Sequence, residues 1–241
     1  VTIVKGSELP TGWTGKMWAV AQGVETAEAE FPNSAYYLLT DADIAHHPGN
    51  LSELMAKAVD EKLALVSLMV RLRCETRWEH LLIPAFVFFF QKLYPFPWVN
   101  DSNKATAGAA GGCLLVKRSA LENAGGIEAI KNDIIDDCAL AKLLKKSNPI
   151  WLGLTHSTIS LRGYDKLSDV WQMVCRTAFV QLNHSTLKLA GTLFGMLLIY
   201  IVPIATILIR FLIQKIELLA LGLGAWALMA IAYTPTLRLY S

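Results

Sequence analysis

Two acids separated by one residue, Asp41 and Asp43, close an apolar run that reads Tyr36-Tyr37-Leu38-Leu39-Thr40. An α/β sheet presents ligands at the carboxyl ends of its strands, so Asp-Ala-Asp at the end of a strand aims both carboxylates at that edge. Together they can hold Mg2+ or Mn2+ through oxygen, and such a cation clamps a diphosphate. A turn pair that merely caps the next element would be spelled the same way. His46 and His47 follow closely, either as further ligands or as solvated turn residues. A second pair, Asp136-Asp137, opens a stretch ending in Lys145 and Lys146. Acids at a helix start and lysines at its end suit the helix dipole. The same carboxylates can act as general base towards a hydroxyl. Gly12-Trp13-Thr14-Gly15-Lys16 is a Gly-rich turn feeding a helix, where backbone N–H groups and a lysine suit a phosphate. It lacks the spacing of a Walker A loop. Gln172 and Arg176 stand one helical turn apart on one side of an amphipathic stretch, as a binding pair or as an ordinary polar face.

These residues need a frame. Short β-rich runs at 1–4 and 36–40 flank a stretch at 15–30 with helical spacing, and 51–61 reads as a second helix. The continuous apolar run 64–72 and the segment 112–116 read as strands. A helix over 119–124 stops at Gly125-Gly126, and 136–146 is the helix that the second acid pair opens. Strands joined by helices predict an α/β domain with a mainly parallel sheet over residues 1–165. Two stretches break the pattern. Residues 81–90 are ten apolar residues in a row, too short to span, running into Tyr94-Pro95-Phe96-Pro97-Trp98. That composition suits a membrane interface or a core helix. Residues 168–182 form an amphipathic helix, and the segment 166–188 is expected to lie on a membrane surface.

The chain of 241 residues is 54% hydrophobic and 17% charged, with a net charge of +2, and its mean hydropathy is +0.39. Those values are averages over unlike parts. Residues 187–241 hold only Lys188, Arg210, Lys215, Glu217 and Arg238 as charges. The uncharged runs 189–209 and 218–236 are each long enough as helices to cross a bilayer core of about 30 Å. They predict a transmembrane hairpin over 189–241, with Pro203 tolerable inside it. The preceding head is slightly acidic, which argues against a nucleic-acid partner. Cys74, Cys113, Cys138 and Cys175 form no C-x-x-C pair and read as reduced, mostly buried thiols.

In order, G-W-T-G-K at 12–16, D-A-D at 41–43, A-G-G-C at 110–113, the run 117–126, D-D at 136–137, an amphipathic Gln/Arg helix and membrane spans resemble the family 2 glycosyltransferases of GT-A fold. The wording of residues 82–101 and 134–146 is similar to the bacterial hopene-associated members. The resemblance implies inverting transfer of a sugar from a nucleotide-sugar donor, a UDP-sugar first, to a hydroxyl of a lipid acceptor such as a hopanoid. It implies Asp41 and Asp43 as ligands of Mg2+ or Mn2+ and the donor diphosphate. Asp137 matches the general base, with Asp136 where the family has Glu. Lys16 matches the donor-side lysine, and Arg176 and Gln172 stand near the family's Q-x-x-R-W without reproducing it. It further implies a bacterial inner-membrane enzyme with a cytoplasmic head. Polyprenyl phosphate, a ceramide-like lipid or diacylglycerol are alternative acceptors, and a non-catalytic membrane scaffold is the alternative of another class. No segment matches the family's opening nucleotide-base strand, and the sequence stops at Tyr240-Ser241 where relatives continue into more membrane sequence, so the chain is expected to be truncated at both ends and inactive by itself.

Overall fold

The computed structural model describes residues 2–240, with residues 210–213 described by their backbone alone. The chain divides into two compact units, Val1–Asp165 and Lys166–Ser241. The first opens without regular structure over residues 2–10, so the strand expected at 1–4 does not form over residues 2–4, while Val1 lies outside the described residues. Helix α1 (Gly15–Glu30) then leads to β1 (Tyr36–Thr40), β2 (Ile44–His46), α2 (Asn50–Asp60) and β3 (Leu65–Arg71). After it come α3 (Arg77–Leu93), α4 (Phe96–Val99), β4 (Cys113–Lys117), α5 (Arg118–Asn123), a 3-10 turn (Ile127–Ile130), α6 (Asp136–Lys145) and β5 (Ile150–Ser160).

The five strands form one mixed sheet in the order β1-β4-β3-β5-β2. Only β3 and β5 pair in parallel; β1–β4, β3–β4 and β2–β5 are antiparallel. This corrects the mainly parallel sheet. The segment between β3 and β4 returns to the edge it left, so β4 runs back between β1 and β3 instead of making a crossover. The carboxyl ends of β1, β3 and β5 and the starts of β4 and β2 therefore share one edge of the sheet. Central β3 is buried along Leu65–Val70, as a continuous apolar run requires. Leu54 and Ala58 of α2 pack on one face with Leu115 and Cys113. Leu140 and Leu144 of α6 and Ile83 and Val87 of α3 are also buried, each such side chain contributing about 1.5–3 kcal/mol. The 81–90 run is the middle of α3, a longer helix than its apolar letters alone suggest. All four cysteines are free, but only Cys113 is fully buried and Cys175 is exposed.

The second unit holds α7 (Leu167–Gln181), α8 (Thr186–Ile213) and α9 (Ile216–Tyr240). Residues Thr186–Ile209 and Ile216–Tyr240, with mean hydropathies of 2.4 and 1.8, are long and apolar enough to cross a membrane. The two helices pack at Gly222, where an added Cβ would come within 2.5 Å of Ile207 and 2.8 Å of the Pro203 carbonyl oxygen. Small residues let apolar helices approach this closely. Gly222→Leu is expected to cost about 1–3 kcal/mol through overpacking, seen as a lower thermal midpoint of the detergent-solubilised chain. Gly224→Leu is the matched control, since nothing lies within 4 Å of a Cβ there.

Candidate functional site

The turn between β1 and β2 carries the first acid pair across the shared edge of the sheet. Ile44 N–H donates to the Asp41 carbonyl at 3.3 Å and closes the turn, while Leu161 N–H donates to the Asp43 carbonyl at 2.8 Å. Beneath it, the Thr40 hydroxyl donates to the Gly112 carbonyl at 2.9 Å and lies 2.9 Å from His46 Nε2. His46 Nδ1 is 2.9 Å from the Asn50 amide nitrogen, so the ring is occupied on both sides. His47 Nδ1 accepts from Gly49 N–H at 3.2 Å. Both histidines serve the loop and neither is presented as a ligand beside Asp41 and Asp43. Among the described residues, no group of three or more His, Cys, Asp or Glu side chains is gathered to hold a metal ion. The half-buried Asp41 and Asp43 remain. Two carboxylates are an adequate protein share for Mg2+, which keeps waters and takes its other oxygens from substrate phosphates.

The glycine-rich turn positions Lys16. Gly12 takes a φ of +84°, open to glycine at little cost, and the Thr14 hydroxyl caps α1 by accepting from Met17 N–H at 3.3 Å. Thr14 N–H donates to the Lys131 carbonyl at 2.8 Å, tying the start of α1 to the segment that leads into α6. Lys16 Nζ consequently reaches Asp136 Oδ2 at 2.9 Å and Asp41 Oδ1 at 3.4 Å. Burial pulls the ammonium down, but Asp136, Asp41 and Asp137 outweigh it and hold Lys16 above the usual lysine value. The lysine thus bridges the two acid pairs that the sequence keeps almost a hundred residues apart.

Asp137 is held differently. Its Oδ2 accepts from Gly111 N–H at 2.8 Å and its Oδ1 from Cys138 N–H at 2.7 Å. Part of the residue's surface stays open, while the carboxyl group is enclosed by these two amides, Asp136 and Lys16. Burial, and next the negative charge of Asp136, push its pKa up to about 6 against the two N–H donors and Lys16. This is the condition of a carboxylate able to take a proton near neutral pH. The neighbouring Cys138 thiol is pushed up to about 12 by burial and the Asp137 charge, and it donates to the Ala109 carbonyl at 3.4 Å. It remains a protonated thiol.

Gly111 was legible only as part of A-G-G-C, yet its backbone N–H is a partner of the Asp137 carboxylate. A Cβ there would stand 3.3 Å from Lys16 Nζ and 3.4 Å from Asp137 Oδ2. Gly111→Val is expected to displace both groups and lower turnover roughly 100-fold without unfolding the sheet, a combination readable from rate and circular dichroism together. An elongated cleft of about 460 Å³ runs from Lys16, Asp41, Asp136 and Asp137 along α1 and β1 to Phe31. Gln172 and Arg176 stand apart from this cluster in sequence and in unit: both are exposed on α7 of the second unit. The structure brings together Lys16, Asp41, Asp136 and Asp137, with Asp43 on the same turn as Asp41.

No curated protein matches the chain closely enough to be set beside it. A family model does match: that of glycosyl transferase family 21, over residues 8–239. The motif order resembles family 2, so the match shifts the family while keeping the class of enzyme, a glycosyltransferase. With nearly its whole length covered, the chain belongs to glycosyl transferase family 21.

Proposed function

We propose that this chain carries the catalytic unit of a membrane-bound inverting glycosyltransferase of GT-A type, moving a sugar from a nucleotide-sugar donor to a hydroxyl of a membrane lipid. The observation that carries the reading is Asp137: an enclosed carboxylate with a raised pKa of about 6, beside a lysine shared by two further acids. Asp137 takes the acceptor hydroxyl proton as that oxygen bonds to the anomeric carbon. The bond from that carbon to the diphosphate breaks, and its electron pair leaves with the diphosphate. Lys16 stands where it can shed its carboxylate partners and meet the departing negative charge. Asp41 and Asp43 would hold Mg2+ or Mn2+, which supplies a Lewis acid for the diphosphate. Asp136 orients Lys16 and keeps Asp137 basic by like charge. Arg176 and Gln172 are carried as donor-side residues by resemblance.

Membership of family 21 and the two apolar helices of the second unit support a lipid acceptor. A ceramide-like or hopanoid hydroxyl fits a base that removes a proton, whereas a polyprenyl phosphate is mostly its dianion at neutral pH and needs no base to attack. A bacterial inner membrane with the catalytic unit on the cytoplasmic face, where nucleotide sugars are made, is the setting this reading implies.

The test is sugar transfer by the protein, from UDP- and GDP-sugars in the presence of Mn2+ and membrane lipid extract. Asp43→Asn is expected to lower transfer at least 100-fold and to weaken Mn2+-dependent donor binding. Transfer that is indifferent to Asp43→Asn and to chelation would remove the metal from the scheme. Failure of every nucleotide sugar to bind would favour a scaffold.

A further inference from the structure

Residues Arg77–Val99 make a third stretch of 23 residues long and apolar enough to cross a membrane. The topology of the sheet forbids the crossing. β3 and β4, which precede and follow this stretch, are hydrogen-bonded antiparallel neighbours, with Leu65 opposite Val116 and Ser67 opposite Leu114. One crossing between them would put paired strands on opposite sides of a hydrocarbon layer about 30 Å thick. A return crossing would fall to residues 100–112, which contain no helix and whose backbone groups would go unpaired in lipid.

The helix is two-faced instead. Ile83 and Val87 have no exposed surface, and neither has Glu79, whose carboxylate accepts from the backbone of Thr76 and Tyr164. That face belongs to the protein. Trp78, Leu81, Phe89 and Leu93 are exposed, Leu81 by 61% and Leu93 by 55%. At about 100° per residue these four fall within an arc of about 120°. Lys92 lies in the same arc with its ammonium 4.9 Å from the Phe88 ring centre. A lysine so placed can lay its stem on an apolar layer and hold its charge among phosphates. Tryptophan, leucine, phenylalanine and lysine on one exposed face are the composition of a helix lying in the plane of an interface. The same chain supplies the bilayer through α8 and α9.

We propose that the outer face of α3 is a monotopic membrane contact of the catalytic unit, seated at the headgroup level of the bilayer that α8 and α9 cross. This rests on the membrane-enzyme reading above and deepens it. Tyr94, the residue that ends α3, packs against Gly108 and is hydrogen-bonded to the side chain of Cys138, next to the base Asp137.

The experiment is carbene labelling of the full chain in vesicles of phosphatidylcholine and phosphatidylglycerol containing an apolar photoactivated probe, read residue by residue by mass spectrometry. Label on Trp78, Leu81, Phe89 and Leu93 is expected several-fold above that on Leu51 and Val59. Those two residues of α2 are 50% and 57% exposed in the same unit, among charged neighbours. Labelling of α8 and α9 with α3 no higher than α2 would overturn the contact and leave that face to water or a protein partner. Absence of label from α8 and α9 as well would overturn the membrane reading and this contact with it.

Discussion

Asp137→Asn is expected to reduce sugar transfer by about 10²–10⁴-fold, the usual contribution of a positioned general base. The substitution keeps the shape of the side chain, so donor binding should persist while kcat falls. In the proposed mechanism Asp137 works as a base only when ionised. Its pKa of about 6 therefore predicts that kcat/KM falls tenfold per pH unit below pH 6 and levels above it. Asp137→Asn should lack that limb. Stability gives a second readout with the opposite preference. The folded pKa is raised above the ordinary 3.8, so the unfolded chain releases this proton first as pH rises. Stability from this group is present below pH 3.8, declines between pH 3.8 and 6, and is constant above. A shift of about two units corresponds to about 2–3 kcal/mol. The asparagine amide faces one of the two backbone N–H donors, a cost that does not change with pH. Urea unfolding at several pH values should therefore show Asp137→Asn gaining on the wild type by about 2–3 kcal/mol between pH 4 and pH 7. A difference independent of pH would mean that the carboxyl is not enclosed as described.

The same site explains what could be read from the letters and what could not. Asp41, Asp43, Lys16, Asp136 and Asp137 were each visible because a local pattern exposed them: a strand running into acids, a glycine turn running into a helix, acids opening a helix. That Lys16 joins both acid pairs was not visible, because it depends on the Thr14–Lys131 hydrogen bond across the fold. The direction of β4 was hidden for a related reason. Composition shows an apolar strand at 112–116 but not whether the preceding forty residues cross the sheet or turn back beside it. β5 escaped altogether, since Gly153, Thr155, His156, Ser157 and Thr158 dilute its apolar signal while the sheet still pairs its backbone. The family was read from motif order, and order is shared among families that perform one reaction.

Glu79 is the residue whose loss should harm the fold most, and it was also missed. Thr76-Arg77-Trp78-Glu79 spells a capping box, the one local signal that could have found it. Its Oε2 accepts from Glu75 N–H at 2.9 Å and Thr76 N–H at 2.8 Å, and its Oε1 from Tyr164 N–H at 2.7 Å. One carboxylate thus closes the start of α3 and pins the segment that follows β5, with Arg73 and Asp165 paired beside it at 3.4 Å. Burial alone would raise its pKa. The amides of Thr76, Tyr164 and Glu75 win and hold it at about 2. Here the sign is the reverse of Asp137: the stability is present above the ordinary 4.5 and is lost as pH falls towards 2, about 3 kcal/mol in all. Glu79→Ala leaves three backbone donors without their acceptor, each costing about 1–3 kcal/mol when buried. The expected loss is therefore about 3–5 kcal/mol at pH 7, narrowing as pH falls below 4. Glu79→Gln should fall between, because its amide restores one acceptor and turns a donor towards the rest. Amide exchange of Thr76 and Tyr164 locates the effect: it should rise in Glu79→Ala before that of β3, and equal exchange throughout would show that the carboxylate pins nothing. Two buried carboxylates of one unit thus respond to acid in opposite directions, because amide donors outweigh burial at Glu79 and fail to outweigh it beside Asp136 at Asp137.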